Sequence, residues 1–322
     1  MLSRRSFLVS VTAATAAAAL AACGDADPAP AGNAAPAGGD GFPRDVDHEL
    51  GTTEVQAAPQ RVVCATDGGE LCSLLALGVT PVGFGQRNDP LRPWVRDLAA
   101  GVDTYPLDAE TDFERLAVWQ PDLLLVQEGF ATEDTYPDYT ALAPTIATSF
   151  IDWRANLRQV GDAVGRPEEA AALEQQKDDA VAALAAALPA GARGLRVNAM
   201  ATFGDGTVYV LNADSPAGKI AEALGLAPLP PADTAGEAVN LVSTELLSVV
   251  DGDLLLRLHF GADDDGTDQL ATTGVYQALG VVQAGAVVDL TEDESQQLYF
   301  DSVLTVEPNA ELLSRLATDT AG

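Results

Sequence analysis

Short, uninterrupted apolar runs alternate with amphipathic stretches along most of this chain. After a polar pair of strands expected over residues 42–55, turning near Gly51, the run Arg61-Val62-Val63-Cys64-Ala65-Thr66 ends at Asp67-Gly68-Gly69. Residues 70–77 follow at helical spacing until Gly78. This is a strand, a glycine turn and a helix. The pattern recurs, with strands expected at 81–84, 122–126 and 145–148 and a helix at 94–100. Strands that are apolar on both faces and separated by helices imply a parallel sheet covered on each side.

From 153 to 189 the periodicity is helical throughout. One helix is expected over 153–164, broken at Gly165-Arg166-Pro167, and a second over 168–188, closed by Pro189. Pro167 suits a first helical turn. A helix of this length spans roughly 30 Å at about 1.5 Å per residue, enough to bridge two lobes. Strands then resume at 195–201, 209–211, 253–258 and 286–290, with helices at 215–224, 274–279 and 308–317. The expected fold is α/β: two Rossmann-like lobes with central parallel sheets, joined by one long rigid helix, with a ligand cleft between them. The lobes are placed at 44–165 and 190–322 and the joining helix at 166–189.

The first residues change the picture. Ser3-Arg4-Arg5-Ser6-Phe7-Leu8 precedes an uncharged run over 9–22 that is too short to span a bilayer and ends at Leu20-Ala21-Ala22-Cys23. This reads as a twin-arginine export signal over 1–22 with a lipobox, whose cysteine accepts the lipid and becomes the new N-terminus. An acylated Cys23 would hold the protein on a membrane without crossing it. Residues 23–43, almost entirely Ala, Pro, Gly and Asp until Phe42, have little to bury and read as a disordered tether.

Charge excludes one class of partner. The chain carries 48 acidic against 17 basic residues, a formal charge of −31, which repels phosphate backbones and makes nucleic acid an improbable ligand. Hydrophobic residues at 47% are enough to fill real cores. With Cys23 consumed by lipid, Cys64 and Cys72 remain in an oxidising compartment, where they either form a disulfide or stay as two buried thiols on a strand and the helix after it.

Taken in order, several segments resemble the helical-backbone class of ABC-importer solute-binding proteins, the siderophore, haem and cobalamin group. They are Arg61-Val62-Val63, Leu74-Leu75-Ala76-Leu77-Gly78-Val79-Thr80-Pro81-Val82-Gly83, Phe113-Glu114-Arg115-Leu116 with Trp119-Gln120-Pro121-Asp122-Leu123, Ala143-Pro144-Thr145, Gly165-Arg166 and Glu222-Ala223-Leu224-Gly225-Leu226. The resemblance runs over about residues 44–317. It implies a monomeric binding protein that is not an enzyme, needs no cofactor, and works with paired permease subunits. It also implies one exposed glutamate per lobe that docks to permease arginines. Glu114 and Glu245, the latter in Val242-Ser243-Thr244-Glu245-Leu246-Leu247, match those positions.

In α/β lobes ligands meet the loops at the carboxyl ends of strands. That selects Arg87, Gln127, Phe130, Trp153, Arg257, His259 and Tyr299 as ligand-contacting candidates, with Asn88, Phe203 and Asn212 in the same set of loops. Arg87 and Arg257 can bond anionic ligand oxygen, or can instead pair with nearby carboxylates such as Asp89 or Asp263 to Asp265. Two histidines, His48 and His259, are too few for direct capture of a bare metal ion, which normally takes several side-chain ligands. No Gly-x-Ser-x-Gly elbow or His-Glu-x-x-His motif is present. The expectation is therefore an extracytoplasmic, lipid-anchored protein that captures an iron(III)-siderophore complex for an ABC importer. Haem or cobalamin binding, or a co-receptor role without transport, are the alternatives.

Overall fold

The computed structural model describes residues 41–87, 90–107, 111–202, 207–233, 237–260 and 269–322. The export signal, Cys23, nearly all of the tether, Asn88, Asp89, Phe203 and Asp263 to Asp265 lie outside the described residues. The tether reading ends earlier than expected: Phe42 already packs on the core, with its ring against Gly165.

The chain opens with an antiparallel pair, β1 (Arg44–His48) and β2 (Gly51–Val55), turning between His48 and Gly51. The first lobe contains β3 (Val62–Cys64), α1 (Gly69–Ala76), β4 (Gly83–Gln86), α2 (Pro93–Arg96), β5 (Asp103–Pro106), α3 (Phe113–Val118), β6 (Leu123–Gln127), α4 (Tyr136–Thr140), β7 (Thr145–Thr148) and α5 (Trp153–Ala163). Its five strands lie in the order β5-β4-β3-β6-β7 and are all parallel. Both faces are covered. In β6, Leu123 and Leu125 enter one core, while Leu124 and Val126 enter a second core on the opposite face. This is why the strand sequence is continuously apolar rather than alternating.

The crossover α6 (Pro167–Ala187) has Pro167 in its first turn and 21 residues, as the sequence implies. It packs on α5 on one side. On the other it meets α7 (Pro216–Leu224) and the C-terminal α11 (Val306–Ala321). The core that includes Leu125, Leu157 and Val181 continues without a break to Leu224, Leu256 and Leu313, so one apolar cluster runs through both lobes and the helix between them. Lys177 on α6 bonds Glu307 on α11 at 2.8 Å across the same junction.

The second lobe is mixed where fully parallel sheets are expected. Its order is β10 (Val239–Val242), β9 (Val208–Leu211), β8 (Val197–Thr202), β11 (Leu254–Leu258), β12 (Val287–Asp289). β8, β11 and β12 are parallel, and β9 runs against both of its neighbours. The link from β8 to β9 is too short for the crossover a parallel neighbour requires, so the chain folds back as a hairpin. A 3₁₀ turn (Thr244–Val250), α8 (Gly274–Gln277), α9 (Gly280–Gln283) and α10 (Glu292–Tyr299) complete this lobe. Among the described residues no helix is long and apolar enough to cross a membrane.

Candidate functional site

The carboxyl ends of both sheets face a chain of linked cavities. The largest, about 980 Å³, lies at the tips of β4 and β6 in the first lobe and is lined by Arg87, Gln127, Phe130 and Phe150, with the acids Glu128 and Asp138. Phe113 and Tyr139 form its aromatic wall, their rings 4.8 Å apart and nearly edge-on. Phe150 also borders a smaller cavity at the lobe junction that reaches Asp214, Tyr299, Phe300 and Asp301. Tyr299 in turn borders an apolar pocket in the second lobe, made with Tyr209, Val239, Leu258 and Phe260. Phe150 and Tyr299 each line two of the three cavities, which therefore adjoin and together form the candidate cleft.

Within it, the Arg87 guanidinium lies 4.5 Å over the Phe130 ring, and its backbone N–H donates to Asp67 at 3.1 Å. Tyr299 meets Phe260 edge-on at 5.5 Å and is 41% exposed, enough for a ligand to reach its face. Four of the seven proposed contacts, Arg87, Gln127, Phe130 and Tyr299, therefore stand on the cleft.

The other three line none of these three cavities. Trp153 is buried beneath Arg154 and lines a further pocket between α5, α6 and α7, which shares Pro216 and Asp301 with the junction cavity. It starts α5, and its backbone N–H is fixed by Asp301 at 3.1 Å. Arg257 pairs with Asp289 on the neighbouring β12, with Tyr276 of the outer helical layer 6.0 Å from its guanidinium. His259 Nε2 donates to the same Asp289 carboxylate at 3.0 Å. Burial works against ionising Asp289, but hydrogen bonds from Arg257 and His259 outweigh it and hold the carboxyl below its ordinary range. Asp289, one strand away, is a partner of Arg257 that the sequence reading did not name, and the acids Asp263 to Asp265 lie outside the described residues. Asn212 is a fully buried loop pin, bonding Asn240 at 3.0 Å and the Glu237 carbonyl at 2.8 Å.

Two participants were missed. Arg92 donates to the Asp67 carbonyl at 3.0 Å and lies 4.1 Å over the Phe300 ring, tying the two lobes at the cleft floor. Its signal was an arginine held between Leu91 and Pro93 shortly after a strand end. Glu70, in the first turn of α1, is completely buried directly behind the Asp67-Gly68-Gly69 turn. It accepts from the Thr66 hydroxyl and from Gly68 N–H. Burial pushes its carboxyl up to about 7, against those two hydrogen bonds, and neighbouring Asp67 adds to the rise. A Cβ at Gly68 would come within 2.3 Å of Gln127 Oε1 and 2.6 Å of Glu70 Oε2, so both side chains would have to shift.

Cys64 and Cys72 are free, buried thiols on β3 and α1, so no bridge joins them. Burial raises both, Cys72 to about 12. Glu114 and Glu245 are both exposed, in the first turns of α3 and of the 3₁₀ turn, one on each lobe. Among the described residues no group of three or more His, Cys, Asp or Glu is arranged to hold a bare metal ion.

Two α/β lobes locked by one helix, with an aromatic cleft between their strand ends, define a solute-binding protein. The chain belongs to the periplasmic binding protein family, whose model matches residues 63–294. It is 32% identical over 131 residues to the probable siderophore-binding lipoprotein YfiY of Bacillus subtilis (strain 168); that stretch covers 39% of this chain and only 40% of the relative. A periplasmic solute-binding protein from Mycobacterium smegmatis superposes with a TM-score of 0.75 at 24% identity, over 87% of this chain and 99% of that one. Staphylococcus aureus SirA, solved with staphyloferrin B, gives a TM-score of 0.71 at 20% identity, over 84% of this chain and 96% of that one. Both share the fold.

Proposed function

We propose that this protein captures a ferric siderophore outside the cytoplasm and delivers it to an ABC permease. The observation that carries the reading is the linked cleft, whose main cavity of about 980 Å³ is far larger than an ion requires and is walled by aromatic rings and one arginine. Such walls suit a bulky chelate with apolar surface and ligand oxygen. The sequence likeness to a probable siderophore-binding lipoprotein supports the same ligand class. A haem reading is weakened because His259, the only histidine near a second-lobe strand end, is bonded to Asp289 and borders none of the three cleft cavities.

Transport needs no chemistry on this chain. The lobes hold the chelate, and the stiff crossover with its continuous core limits hinge motion. Glu114 and Glu245 would register the two lobes on permease arginines; exposed Val118 lies one helical turn from Glu114 and exposed Leu246 is adjacent to Glu245, so each carboxylate has an apolar neighbour for such a contact. The lipobox at Cys23 supports a membrane-anchored location.

Native mass spectrometry of the protein purified from iron-limited cells tests the reading. The expected result is a bound mass equal to a ferric chelate. Recovery of haem or cobalamin, or of no solute from cells secreting siderophore, would replace it.

A further inference from the structure

Glu70 and Gln127 approach each other behind the wall of the main cavity. The Thr66 hydroxyl and the Gly68 N–H both donate to Glu70 Oε1, and the turn between them is pinned where Arg87 N–H and the Arg92 guanidinium bond Asp67. The carboxyl is therefore held in place. Its second oxygen, Oε2, is buried on a side chain that is 0% exposed and has no hydrogen-bond partner among the described residues. Buried polar atoms are nearly always bonded, so this one calls for an explanation. Glu70 Oε2 and Gln127 Oε1 lie 2.6 and 2.3 Å from one point, the place a Cβ would take on Gly68. Gln127 ends β6 and lines the main cavity.

Two acceptor oxygens turned on one spot repel unless hydrogen stands between them, and this pair can supply it in two ways. A neutral Glu70 donates its Oε2 proton to Gln127 Oε1, which leaves Gln127 Nε2 as a donor toward the cavity. An ionised Glu70 instead accepts from Nε2 after the amide makes a half-turn about its last torsion, which turns Oε1 toward the cavity. The proton comes from solvent and returns to it. Burial pushes the Glu70 carboxyl up to about 7, so both forms occur near neutral pH. The other ionisable groups that bear on it are Asp67 in the turn, which adds to the rise, Cys64 on β3, Cys72 on α1 and Tyr139 on α4. Burial keeps the last three neutral through the same range. We propose that Glu70 is a positioning residue that sets which end of the Gln127 amide faces the main cavity, a donor when Glu70 is protonated and an acceptor when it is ionised. On the reading that this cavity holds a ferric chelate, which presents oxygen acceptors, the protonated form binds more tightly. If that form alone is competent, binding is about tenfold weaker at pH 8 than at pH 6.

Nuclear magnetic resonance of the ligand-free protein tests the role of Glu70 without any ligand. The Gln127 side-chain amide, assigned by its loss in Gln127→Leu, and the Glu70 carboxyl carbon are followed from about pH 5.5 to about pH 8.5. Both should move through one transition near 7. The amide should stay still in Glu70→Gln, whose side chain keeps a donor at every pH. A Gln127 amide that stays fixed while the Glu70 carbon titrates, or a Glu70 carbon that does not titrate in this range, would overturn the proposal. Both readings come from the natural protein and stand even where Glu70→Gln fails to fold. Titration with ferrioxamine B and ferrichrome, whose own charges are constant between about pH 6 and about pH 8, adds the binding arm. The natural protein should bind the complex it accepts about tenfold more weakly at the higher pH. Asp301 at the lobe junction, raised to about 6, gives both proteins a common slope, and Glu70→Gln should keep no more than that. Equal pH dependence in the two proteins would also overturn the proposal, with siderophore capture left standing. Binding of neither complex would count against siderophore capture, and the amide resonance would still decide the role of Glu70.

Discussion

Replacing Glu70 with glutamine should make the protein more stable at pH 8 and remove much of its pH dependence. Glu70 is 0% exposed, and its carboxyl rises from an ordinary 4.5 to about 7, first because of burial and also because of Asp67 nearby. The native state therefore binds a proton that the unfolded chain has released once the pH exceeds about 4.5. Stability conferred by that proton is complete below that value, falls as pH rises toward about 7, and is fully lost above it. The interval between the two values corresponds to about 3 kcal/mol. Glutamine retains an acceptor for Thr66 and Gly68. Urea unfolding of both proteins between pH 5 and 8 measures the difference, provided the denaturant slope is unchanged. The variant should gain about 2 to 3 kcal/mol over the natural protein at pH 8 and little at pH 5. Asp301, raised to about 6 chiefly by burial, contributes a slope of the same sign in both proteins and cancels in the comparison. Parallel profiles for the two proteins would refute the reasoning.

Phe130→Ala removes the ring beneath Arg87 and a wall of the main cavity, and should weaken chelate binding about tenfold by titration while changing the unfolding midpoint little. Tyr299→Ala should act similarly through the second-lobe pocket. The double variant Glu114→Ala with Glu245→Ala should bind ligand normally in solution and lose uptake in cells, because both carboxylates are exposed and outside the cleft; full uptake would exclude the docking role. In a soluble form lacking Cys23, Cys64 and Cys72 should react with a thiol reagent only after denaturation, since both are buried and burial disfavours their thiolates.

Much of the frame was legible because central strands buried on both faces cannot hide: 122–126 and 253–258 are apolar at nearly every position, and each forms a central strand. The edge strands were not. β5, Asp-Thr-Tyr-Pro, buries one side chain of four, and β10 buries only Asn240, so neither has the signature of a covered strand. α10 was legible but passed over: Thr291 and Glu294 form a reciprocal capping box at its start. At the candidate site, strand-end position led to Arg87 and Gln127, which line the first-lobe cavity, but position along a strand does not reveal which face a side chain takes. Arg257 therefore paired across to β12, and Trp153, at a helix start, turned into the interior. Glu70 looked like an ordinary first-turn acid, and only the packing of α1 beneath Gly68 makes it a buried one.

Ligand identity is the claim on which the account rests, and Trp94 reports on it directly. Its ring lies 5.8 Å from Phe300, which borders the cleft at the lobe junction. Titration of purified protein with ferric siderophores, haemin and cobalamin, followed by tryptophan fluorescence with a Trp94→Phe control, should give saturable quenching by a ferric siderophore that is largely lost in the control. Saturable binding of haemin or cobalamin, with no response to any ferric siderophore, would contradict the account.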